Sequence, residues 1–203
     1  MELGHLVVEC RGDDVIPGEW RHLAEFQLHI AERWRDRGVR IEDPFARFFF
    51  YFAGVNALYY LWSKMDGVRG GAPDRPQNEA RQIEHLLSKA GPSAADVLGG
   101  AGQCAKYFAD RRPIERMDKR SQHRATAGDA GEGRTAREAL RGGCDTERLR
   151  ALGTILYLVR SNLAHGSKMD QGDDQDVVEH AVPGLGAILN WAIGHTRTEL
   201  EEA

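Results

Sequence analysis

Cysteine is scarce in this chain: Cys10, Cys104 and Cys144 are the three thiols in 203 residues, far apart and with no CxxC pair. That scarcity argues against a disulfide framework or a zinc–thiolate site and suits a reducing compartment. Long apolar runs are missing as well. The richest, Phe48 to Trp62, falls short of the ~20 residues that a membrane helix requires. It also contains Gly54 and Asn56 and is aromatic rather than aliphatic, so a buried helix or a subunit interface is expected, not a membrane span. Met1 to Cys10 has neither the basic start nor the apolar core of a signal peptide, which predicts a cytoplasmic protein. The motifs GxxxxGK[ST], GxGxxG, HExxH and GxSxG are all absent, removing the usual grounds for a phosphate loop, a dinucleotide fold, a zinc protease or a serine esterase. No cofactor and no metal are expected. His22, Glu25 and His29 do fall at helical spacing and could offer metal ligands, but exposed polar residues on a surface helix are far commoner.

The chain is long enough for one well-cored domain over residues 1–203, and 41% apolar with 29% charged residues is ordinary for a globular protein. A net charge of −4 argues against a dedicated nucleic-acid binder. Its distribution is uneven. Residues 111–150 carry eleven Arg and Lys against seven Asp and Glu, whereas residues 170–203 carry one Arg against eight acids. The basic stretch could meet phosphates; two solvated surfaces of opposite sign explain the asymmetry too.

No alternating run is long enough for a sheet and no internal repeat occurs, so the pattern predicts an all-α protein, an antiparallel bundle of five to seven helices. A first helix is expected from about Glu19 to Arg37, ended by Gly38. Asp43-Pro44 then supplies an N-cap and a proline at the first helical position for a second helix reaching about Met65. That helix is apolar on nearly every side (Phe45, Phe48, Phe49, Phe52, Val55, Leu58), as befits the middle of a bundle. Two shorter helices are expected over about 77–89 and 93–109. Residues 118–134 have few apolar side chains and no helical period, which predicts a mobile basic loop. Leu149, Leu152, Leu156, Val159 and Leu163 then form an apolar stripe along one helix face, capped by Asp145-Thr146 and stopped by Gly166. A last helix spans about Gln175 to Leu200, where Pro183 should kink or split it.

The stripe helix ends in Tyr157-Leu-Val-Arg-Ser-Asn-Leu-Ala-His-Gly-Ser-Lys168, which groups Arg160, Asn162, His165 and Lys168 within about three turns. Histidine exchanges protons near neutral pH, and arginine offers a planar, permanently charged fork matched to phosphate. Because RNA carries its own nucleophile, the 2′-hydroxyl, such a pair can cleave it without metal. A histidine before glycine can equally be a helix C-terminal cap, and an arginine beside an apolar stripe can simply snorkel. Residues five apart also point roughly 140° from one another on an α-helix, so the last turn must loosen, or two subunits must pool their copies, for the pair to converge.

The segment Arg160-Ser-Asn-Leu-Ala-His165-Gly resembles the R-x4-6-H motif of the HEPN superfamily of small helical domains. Phe52-Ala-Gly-Val-Asn56-Ala-Leu-Tyr-Tyr60 and Pro113-Ile114-Glu-Arg-Met117 resemble the same kind of protein, the likeness running patchily from about residue 20 to 195. The resemblance implies a HEPN-like bundle and a metal-independent endoribonuclease, of a type often serving as a toxin or antiviral effector. It further implies RNA as the partner, a homodimer with both motifs facing one cleft, and an antitoxin or regulatory protein. Carried over, Arg160 and His165 would be catalytic and Asn162 a polar helper, with Lys168 in support. Asn56, an amide in an apolar helix, is expected to find its partner on the motif helix. Ser161 and Ala164 depart from residues common in the family, and no tyrosine lies two after His165. The alternative is a non-catalytic helical module that binds a nucleotide, RNA or a protein partner. A third, a purely structural dimer, would bury Phe48, Phe49 and Tyr51 between subunits.

Overall fold

A computed structural model describes residues 18–69, 79–111, 114, 131–164 and 173–202. All secondary structure among them is helical: α1 Arg21–Arg40, α2 Pro44–Arg69, α3 Glu79–Ser88, α4 Ala94–Gly100, α5 Gly102–Asp110, α6 Glu132–Gly142, α7 Asp145–Ala164 and α8 Asp173–Glu202. Short 3₁₀ turns at Gly18–Trp20 and Gly91–Ser93 lead into α1 and α4. The protein is therefore all-α, with eight α-helices among the described residues where five to seven were expected.

Two of the differences have clear physical causes. The span expected as one helix over 93–109 breaks at Ala101, where the backbone leaves helical geometry between α4 and α5. The other is α6, which the sequence barely announces: its buried residues are Gly133, Ala136 and Leu140, a face too small to register as a stripe. Residues 132–134 accordingly open α6 rather than close the basic loop, and the expected mobile segment 118–130 lies outside the described residues. So does the extended piece expected at Leu6–Glu9.

The start of α2 follows the cap logic. Both carboxylate oxygens of Asp43 accept from the first turn, Phe45 N–H to Oδ1 and Ala46 N–H to Oδ2, each at 3.2 Å, while Pro44 has no N–H to satisfy. From there α2 buries Phe48, Phe52, Val55, Leu58, Tyr59, Leu61, Trp62 and Met65 among α1, α3 and α8. Phe48 is thus packed from within its own chain, which removes it from the expected subunit interface; Phe49 is exposed and Tyr51 half-buried. Tyr51 has its own task. A Cβ on Gly38 would overlap Tyr51 Cε1, so Gly38 permits the close α1–α2 approach, and α1 runs past it to Arg40 instead of ending there.

The second central helix is α7. Its expected apolar face turns out to be nearly a full circumference: every residue from Ala151 to Val159 is buried, against α3, α4 and α6. Leu149, Leu152, Leu156 and Val159 each expose at most 1% of their surface, and truncating any of the three leucines to alanine should cost about 2–5 kcal/mol. Across α1, α2, α4 and α5 lies α8, unbroken for 30 residues or about 45 Å. Pro183 does not split it. The ring sits on the exposed side of the helix, and the adjacent Gly184 lets Cys104 of α5 approach so closely that a Cβ there would overlap its sulfur. Near the far end, His195 is stacked between Trp62 and Trp191, and Trp62 Nε1 donates to Thr196 Oγ1 at 3.1 Å.

Candidate functional site

Antiparallel packing of α3 on α7 builds the site. Early residues of α3 meet late residues of α7: Glu79 faces Arg160, Glu84 faces Thr154 and Arg150, and Ile83 and Leu87 close over Gly153. The closeness depends on glycine, because a Cβ at 153 would overlap Leu87 Cδ1 and stand 2.9 Å from Ile83 Cγ2. Thr154, itself buried, donates through Oγ1 to Glu84 Oε1 at 2.8 Å and so fixes the register of the two helices.

That register presents Arg160, one turn before the end of α7, as a held but accessible cation. Its Nη1 donates to Glu79 Oε2 at 3.0 Å, and its Cζ stands 5.4 Å from the centre of the Phe52 ring. The side chain keeps 28% of its surface in solvent. Glu79 is held in turn from beneath, since the Tyr59 hydroxyl of α2 donates to its Oε1 over a long 3.4 Å. Burial above all, and then the Glu79 carboxylate, pushes the Tyr59 phenol well above its ordinary range, so it stays a neutral donor. Tyr59, Glu79 and Arg160 thus form a relay from the core to the surface, and the charge-assisted Glu79–Arg160 bond is its strongest link.

The expected site residues separate into three groups. Arg160 is where the motif helix was expected to put it, at the surface end of α7. Asn162 is 2% exposed, and the neighbouring Ser161 is buried too. Asn56 is half-buried on α2, and its amide makes no hydrogen bond with the described residues of α7. His165 and Lys168 lie outside the described residues, as do all of Pro113 to Met117 except Ile114, which is buried.

Glu79, Tyr59 and Phe52 escaped the reading of the sequence as site residues. Phe52 and Tyr59 read there as core and as part of the HEPN-resembling segment, with no role of their own, and Glu79 follows a stretch of sequence rich in glycine and proline with no motif around it. A carboxylate at the first position of a short helix was the one available signal, and it reads equally as a helix N-terminal charge.

The basic stretch resolves into specific work where it is described. Arg141 Nε donates to Ala109 O at 2.6 Å, and Arg137 Nη1 to Arg111 O at 3.1 Å, so two arginines of α6 satisfy carbonyls at the end of α5. Arg148 bonds Leu140 O and Asp145 in the same manner, tying α6 to α7. The metal reading at His22, Glu25 and His29 gains no support: His22 is almost wholly exposed, 3.7 Å from Glu25, and no group of three metal-ligating side chains converges among the described residues. Nor is any helix long and apolar enough to cross a membrane among those residues. Compared with protein-family models, with curated proteins and with solved structures, the chain matches none.

Proposed function

We propose that this chain is a metal-independent RNA endonuclease with a HEPN-like bundle, working as a homodimer whose Arg160 and His165 act on one phosphodiester. The observation that carries the reading is the state of Arg160: a guanidinium held at two points, by Glu79 and Phe52, yet in part open to solvent at the end of the motif helix. A preorganised cation of this kind stabilises charge that develops on a phosphorane without reorganising when the reaction occurs.

In this mechanism His165 takes the proton of the 2′-hydroxyl. The 2′-oxygen forms a bond to phosphorus, the phosphorus–O5′ bond breaks, and the protonated histidine of the second subunit gives a proton to the departing O5′. The products are a 2′,3′-cyclic phosphate and a 5′-hydroxyl, with no metal and no cofactor involved. Glu79 is a positioning residue. A toxin or antiviral-defence role, with an antitoxin or regulatory protein to restrain it, belongs to the same reading.

A second reading has its own observation. Glu79 neutralises part of the charge that a phosphate would need, which favours a non-catalytic module binding a nucleotide, RNA or a protein partner. One experiment separates the two: incubate the purified protein with RNA in the presence of a chelator, beside Arg160→Ala and His165→Ala. Cleavage by the wild type alone supports the nuclease. Equal, negligible cleavage by all three with RNA binding retained supports the binding module.

A further inference from the structure

Outside this site, one group of titratable and aromatic side chains converges on an open groove. Its volume of about 580 Å³ is within the range of small-ligand pockets, and it is lined by Gln103, Lys106, Tyr107, Asp110, Arg111 and His180 of α5 and α8. The Tyr107 and His180 rings are stacked, 3.9 Å between centroids and 9° from parallel. Both are oriented by Asp176. The Tyr107 hydroxyl donates to Asp176 Oδ2 at 2.5 Å, and His180 Nδ1 lies 2.8 Å from the Asp176 carbonyl and 3.3 Å from its Oδ1.

A carbonyl oxygen only accepts, so the 2.8 Å contact requires the proton on His180 Nδ1 and assigns the lone pair of the neutral ring to Nε2. Tyr107 covers one face of the imidazole. The histidine side chain nevertheless keeps 40% of its surface exposed. The Arg111 guanidinium lies 5.1 Å from the Tyr107 ring centre and donates to its hydroxyl. Guanidinium, phenol and imidazole thus cluster at the groove, with the imidazole partly open to solvent.

Charge around the groove is mixed: Lys106 and Arg111 stand against Asp110 and Asp176, Asp174 and Glu179 add acids on α8, and Arg137 and Arg141 of α6 cap the end of α5. An aromatic ring beside a lysine and an arginine is a combination that holds a base by stacking and its phosphate by charge.

We propose that this groove binds one nucleotide unit, its base stacked on the uncovered face of His180 and its phosphate beside Lys106, with Arg111 adding to the field. The site uses neither Arg160 nor His165 and goes beyond the nuclease reading. The unit is either a free mononucleotide or one residue of an RNA strand, the two sharing base and phosphate.

The test is a binding titration of the full-length protein with two probes, adenosine 5′-monophosphate and a fluorescent 2′-O-methyl RNA octamer, which lacks the attacking hydroxyl and so stays intact even if the protein cleaves RNA. Lys106→Glu and His180→Ala, both at solvent-accessible positions, should each weaken binding about fivefold or more, the size expected for losing a phosphate contact or a stacked base. Arg40→Glu, an exposed reversal at the end of α1, should change it less than about twofold, the scale of nonspecific charge effects. Circular dichroism of each variant excludes unfolding. Binding of the mononucleotide with this dependence identifies a nucleotide site; binding of the octamer alone with this dependence identifies a strand contact. Failure of both probes to bind, or binding that His180→Ala and Lys106→Glu weaken no more than Arg40→Glu does, overturns the proposal. Because neither probe is cleaved, that failure is distinct from a failure of catalysis.

Discussion

Replacing Glu79 by alanine should do more than break an ion pair, and the excess can be calculated from what lies beneath it. The Glu79 and Arg160 side chains keep 38% and 28% of their surface in solvent, so screening limits their pair to about 1 kcal/mol. The Tyr59 hydroxyl is another matter. Tyr59 is 1% exposed, and without Glu79 its hydroxyl loses the acceptor it has in the folded protein, a loss costing about 1–3 kcal/mol. Glu79→Ala should therefore destabilise the protein by about 2–4 kcal/mol in all. In a Tyr59→Phe background there is no hydroxyl to strand, and the same substitution should cost only about 1 kcal/mol. Glu79→Gln, which keeps an acceptor for the phenol, should also fall near the lower figure. Urea unfolding of the four proteins in the double-mutant cycle, with m-values compared to confirm equal exposure on unfolding, measures the difference directly. If Glu79→Ala costs the same in the wild-type and Tyr59→Phe backgrounds, the 3.4 Å contact contributes nothing and the relay from core to surface is wrong.

Two further outcomes follow from the packing. Gly153→Ala should lower the unfolding temperature, because the new Cβ meets Leu87 and Ile83 in a filled interior and overpacking of about 1–3 kcal/mol outweighs the gain of up to about 1 kcal/mol in helix propensity. Gly99→Ala, with open space around its Cβ, should be neutral or stabilising; an equal gain at both positions would contradict the close α3–α7 contact. Burial pushes the Cys104 thiol up to about 12, so in a Cys10→Ser/Cys144→Ser protein it should react with maleimide at pH ~8 only as fast as the protein unfolds. A folded value above the unfolded one also means that this thiol's contribution is whole below the unfolded value and is lost as pH climbs toward 12; rapid labelling of the native protein would refute its burial.

The helices were legible where a local signal and the tertiary fold agree. Asp43-Pro44 marks the start of α2 in sequence and in space, and the leucines of α7 mark a core helix in both. Local rules misled where packing overrode them. Gly38 reads as a stop but serves as a landing for Tyr51, and Pro183 reads as a break but lies on the exposed side of a helix that continues past it. The helix α6 was hidden because Gly133 and Ala136 bury almost no side chain, so no stripe appears. The candidate site was half legible. Arg160 stands out within a motif, whereas Glu79 and Tyr59 belong to it only through the antiparallel pairing of α3 with α7, a long-range fact that spacing along the chain does not encode.

The central claim is that an arginine and a histidine of this chain turn the 2′-hydroxyl of RNA on its own phosphate. The most direct measurement compares an RNA with its fully 2′-O-methylated counterpart in chelator, using wild-type protein and His165→Ala, and analyses the ends of any fragments. The account predicts fragments ending in 2′,3′-cyclic phosphate from the unmodified RNA with the wild type alone. Cleavage of the methylated strand, or cleavage that survives His165→Ala, would contradict it.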